Sequence, residues 1–151
     1  MSYKVSVTPT LDTSAYASGD VFVATTAIPG AARGGGQPSK LVGISLLEKA
    51  DQAACAFNIL FYRSNVSIGT VNAAPSISDA NNEYFEGLVP ISAGDWVDLG
   101  GSKTVNKTAT DVGMPVGIRG DSTNKCYFAI VAVGTPGTYA ADSLVVTFEF
   151  E

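Results

Sequence analysis

The sequence predicts an all-β fold, a single antiparallel β-sandwich or jelly roll of about eight strands with at most one short helix. Three observations carry that prediction. Short apolar/polar alternations recur along almost the whole chain, which is the period of a half-buried strand. Turn residues separate them at short spacing, as in Pro29-Gly30, Gly100-Gly101 and Gly134-Thr135-Pro136-Gly137. Hydrophobic residues make up 46% of 151 residues, enough to fill one core.

The elements follow in order. Tyr3, Val5 and Val7 alternate with Lys4, Ser6 and Thr8, and Pro9 ends that strand. Asp12 to Asp20 is turn-like. Val21 to Ile28 is β-branched and reads as a strand, and Ala31 to Ser39 is a loop carrying Gly34-Gly35-Gly36. Leu41 to Glu48 is a strand, with Val42, Ile44 and Leu46 expected on one face. In Cys55 to Arg63, Cys55, Phe57, Ile59 and Phe61 line one face and Asn58 points away. Ser64 to Ile77 mixes Asn, Gly and Pro75 and is expected to be an extended surface loop. Ser78 can cap a helical turn over Asp79 to Phe85.

Leu88 to Ile91 and Trp96 to Leu99 are short strand pieces. Lys103 to Thr110 is polar, suited to an edge or hairpin arm. Val112 to Ile118 is broken by Gly113, Pro115 and Gly117, which suits an edge or bulged strand. Tyr127 to Val133 is apolar on both faces and belongs in a sheet centre. Leu144, Val146, Phe148 and Phe150 alternate through the last strand. The expected core is Val21, Val42, Ile44, Phe57, Ile59, Phe61, Tyr127, Ile130, Leu144, Val146 and Phe148. No linker or repeat divides residues 1–151, so one domain is expected.

The chain contains no histidine. That removes the usual general base and the commonest metal ligand, and with them a Ser-His-Asp or Cys-His site. A net charge of −5 without a basic run argues against a nucleic-acid partner. Charged residues are only 15% of the chain. The weakly charged, small-residue surface this implies suits close protein–protein packing. Met1-Ser2-Tyr3-Lys4 leads straight into a strand with no apolar targeting segment, and no apolar run is long enough to span a bilayer. Folding in the cytosol is therefore expected, with no membrane partner and with Cys55 and Cys126 as buried, reduced thiols; a disulfide is the alternative.

Four constellations invite chemistry, and each has a structural explanation. Arg33-Gly34-Gly35-Gly36 is followed by Gln37-Pro38-Ser39-Lys40, not by the Gly-Lys-Ser/Thr of a phosphate cradle. It reads as a hairpin loop. Glu83 and Glu86 would lie side by side on a short helix, not across a sugar cleft. Asp79, Asn81 and Glu83 lack the glycine of a calcium loop and read as a helix start. Tyr84-Phe85 and Trp96 could stack on sugar, although a single Trp in a small β-domain is more often core or interface. No catalytic residue, metal ligand or cofactor is expected.

Across nearly its whole length the chain resembles small virion structural proteins of tailed bacteriophages, of the capsid decoration (cement) type. The resemblance rests on Val7-Thr8-Pro9-Thr10-Leu11-Asp12 through Gly19-Asp20, on Gly34-Gly35-Gly36 leading into Leu46 to Gln52, and on Phe57 to Tyr62. It continues in Ile77-Ser78-Asp79-Ala80, Leu88 to Ile91 and Gly134 to Tyr139. These motifs are turns and strands, and they carry over no catalytic residue. The resemblance implies a β-sandwich virion subunit, assembled in the host cytoplasm, that binds the major capsid protein on the assembled shell. It also implies a homo-oligomer, with a trimer favoured. Arg33, Gly34, Gly35, Gly36 and Tyr139 are the expected contact residues, on a rim with the Asn65–Pro75 loop and the chain termini. The alternative is a tail-associated carbohydrate- or receptor-binding module, which needs an exposed aromatic platform around Trp96, Tyr84 or Tyr139.

Overall fold

Alternation in the sequence becomes two facing antiparallel sheets. The computed structural model describes residues 2–31, 38–111 and 117–151. The strands are β1 (Tyr3–Val7), β2 (Val21–Ile28), β3 (Leu41–Glu48), β4 (Phe57–Tyr62), β5 (Phe85–Ile91), β6 (Val97–Asp98), β7 (Lys103–Thr108), β8 (Cys126–Ala132) and β9 (Leu144–Phe150). Helical structure among the described residues is one turn, α1 (Asp79–Asn82), and a 3-10 turn at Ala93–Asp95. Ser78 caps α1, its hydroxyl accepting the Asn81 N–H at 3.2 Å. The helix stops at Asn82, and Phe85 already belongs to a strand.

One sheet has the order β1-β9-β3-β7-β6 and the other β2-β8-β4-β5. The pairing is nested: β1 with β9, β2 with β8, β3 with β7, and β4 with β5. A long antiparallel ribbon rolled onto itself has that pattern, which is the jelly-roll form of the sandwich. β8 is central, between β2 and β4, and buried on both faces except at Val131. Residues 112–116, expected to join an edge strand, lie outside the described residues, while Ile118 bridges Ser39.

Aromatic side chains fill the space between the sheets. Phe148 is fully buried, with its ring edge-on to Phe61 at 5.8 Å and 4.9 Å from Phe128. Phe57 lies 4.6 Å from Phe22 and 6.3 Å from Trp96. Ile44, Phe57, Ile59, Phe61, Ile130, Leu144, Val146 and Phe148 all belong to this cluster, as the alternation predicts.

One expectation for the core needs correction, and two expected core residues are buried in a second cluster. Val42 is only half-buried and Leu41 takes its place, because the β3–β9 register slips between Leu41 and Gly43. An extra residue in one strand of a pair reverses which side chains point inward. Val21 and Tyr127 are buried, but on the outside of the four-stranded sheet. They are covered there by the segment expected to be a surface loop. Val66 and Ile68, 6% and 2% exposed, pack over Tyr62, Tyr127 and Ala129. Backbone bonds tie the segment down: the Val21 N–H donates to Ala73 O and the Asn72 N–H to Val21 O, each at 2.9 Å. Residues 64–77 thus act as a third layer.

Candidate functional site

Of the expected contact residues, Arg33, Gly34, Gly35 and Gly36 lie outside the described residues. Tyr139 is described, and it faces inward. It is 4% exposed, with its ring 5.0 Å from Phe22 and 6.3 Å from Tyr16. Burial pushes its hydroxyl pKa up to about 12. A side chain so placed contributes packing to this chain and offers no surface to a neighbour.

Tyr139 sits where three of the sequence motifs meet. From the first comes Tyr16, whose hydroxyl donates to Phe22 O at 3.2 Å and accepts the Asp12 N–H at 2.7 Å. From the second come Glu48 and Gln52. The buried Glu48 carboxylate accepts the backbone N–H groups of Ala50 and of Gln52, the latter at 3.1 Å. Gln52 Oε1 in turn accepts the Thr138 N–H at 3.2 Å, and its amide donates to Ala50 O at 3.2 Å. The third motif supplies Gly137. A Cβ there would lie 2.0 Å from Gln52 Oε1, so glycine is what lets the glutamine reach across. Between Glu48, Phe57, Trp96, Tyr139 and Leu144 remains a cavity of about 10 Å³, room for a single water. The motifs build one end of the sandwich.

No protein-family model matches the chain, and no curated protein matches it. Its chemistry is therefore read from its own side chains. The carboxylates with the clearest geometry are engaged in locking turns. Asp12 Oδ1 accepts the Ser14 N–H at 2.8 Å, and Asp20 Oδ2 accepts the Ala17 N–H at 2.8 Å. Asp95 Oδ2 accepts the Ser92 N–H at 2.7 Å and pairs with Lys107 at 2.8 Å. Asp121 takes the Thr123 hydroxyl, the Tyr127 hydroxyl and two backbone N–H groups, which hold its pKa far below the ordinary value.

The weighed constellations resolve in the same way. Asn81 of the Asp79/Asn81/Glu83 set donates from its side chain to Ser67 O at 3.4 Å. Among the described residues, no group of three His, Cys, Asp or Glu side chains could hold a metal ion. Glu83 closes α1, whereas Glu86 lies on β5 between two guanidiniums: Arg63 Nη1 at 3.2 Å, and Arg119 Nε and Nη2 at 3.0 Å. Trp96 is half-buried and packs against the core, its indole N–H donating to Cys55 O at 2.8 Å. Tyr84 remains 38% exposed, with the Arg63 guanidinium 4.9 Å from its ring centre. Cys55 and Cys126 are free, buried thiols at opposite ends of the β4–β8 pair. Burial raises both pKa values, that of Cys126 to about 12.

Sequence reasoning missed the Arg63–Glu86–Arg119 group. Its only signal is the β4–β5 register, which sets Tyr62 opposite Phe85 and so brings the ends of the two strands together.

Proposed function

We propose that this protein is a non-enzymatic capsid decoration subunit, which binds an assembled phage shell and stabilises it. The observation that carries this reading is how its polar groups are used. Carboxylates cap turns, arginines clamp a glutamate, and the motifs on which the resemblance to decoration proteins rests meet to complete the sandwich. A body held so firmly has its shape as its product. Binding only to the assembled shell would stabilise that shell by mass action, and an oligomer spanning neighbouring capsomers would gain avidity.

The test compares mature shells purified with and without the protein in a thermal release assay. Decorated shells are expected to hold their contents to a higher temperature. Identical release curves would remove the proposal, and labelling of the tail tip alone would favour the carbohydrate- or receptor-binding module.

A further inference from the structure

We draw no further inference here: the strongest candidate, the surface cluster of Arg63, Glu86 and Arg119 with the exposed Tyr84 beside it where the ends of β4 and β5 meet, is paired within this chain, and nothing in the structure shows what covers it.

Discussion

At the scale of single residues, Phe57 shows how much a side chain can carry here. It is 4% exposed and touches the two aromatic groups that define one end of the core, Phe22 and Trp96. Phe57→Ala removes a buried ring and leaves a cavity that rigid sheets cannot close. A loss of about 3–5 kcal/mol is expected in chemical denaturation; a change within about 0.5 kcal/mol would place the ring in solvent. Phe57 was legible in the sequence because its strand alternates cleanly on both sides of it. Val42 was not, because a bulge is a property of two paired strands and only one of them is visible locally. Tyr139 was misread for a related reason. A tyrosine after Gly-Thr-Pro-Gly-Thr looks like a loop residue, and nothing near it in sequence reveals that Tyr16 and Phe22 wait for it.

At the scale of elements, the segment 64–77 is the main difference between sequence and structure. Its Asn, Gly and Pro content correctly excludes a strand. Composition does not reveal that Val66 and Ile68, spaced by two, find a hydrophobic face on the outside of a sheet. That face exists because β8 is apolar on both sides, a feature the sequence does show. Ile68→Ala therefore tests whether the segment is a layer. If it is, unfolding free energy falls by about 2–5 kcal/mol, as for any deeply buried isoleucine. A loop lying free of the sheet would tolerate the change almost silently in the same denaturation curve. β2 and β3 were legible to the residue, since turn or polar residues bound each of them and a continuous pattern fills them, and β9 was legible from its alternation to within one residue.

At the scale of the whole molecule, the ionisable groups imply a flat stability profile around neutral pH. Asp12, Asp95 and Asp121 have pKa values below the ordinary 3.8, through hydrogen bonds from Ser14, from Lys107 and from Thr123 respectively. Their stabilisation is complete above the unfolded value and is lost as pH falls through the folded ones. Tyr16, Tyr62, Tyr139, Cys55 and Cys126 are shifted upward by burial, and Tyr127 by its bond to Asp121. Their contribution is complete below the unfolded values of 9.0 for cysteine and 10.0 for tyrosine, and is lost as pH rises through the folded ones. No histidine titrates in between. Melting temperature is expected to stay level from about pH 5 to pH 8.5 and to decline on both sides. A step near pH 6.5 would contradict this assignment.

The nested pairing of strands has a consequence in time. The innermost pair, β4 with β5, closes a short loop, whereas the outermost sets Tyr3 opposite Phe150. A loop roughly six times longer costs about 1.5 kcal/mol more entropy to close when nothing between its ends is ordered. The ribbon is therefore expected to zip from its middle outward, and slowly, as β-sheets built on distant pairs do. On the ribosome β1 emerges well before β9, so of the described pairs theirs is the one that waits longest for its second strand.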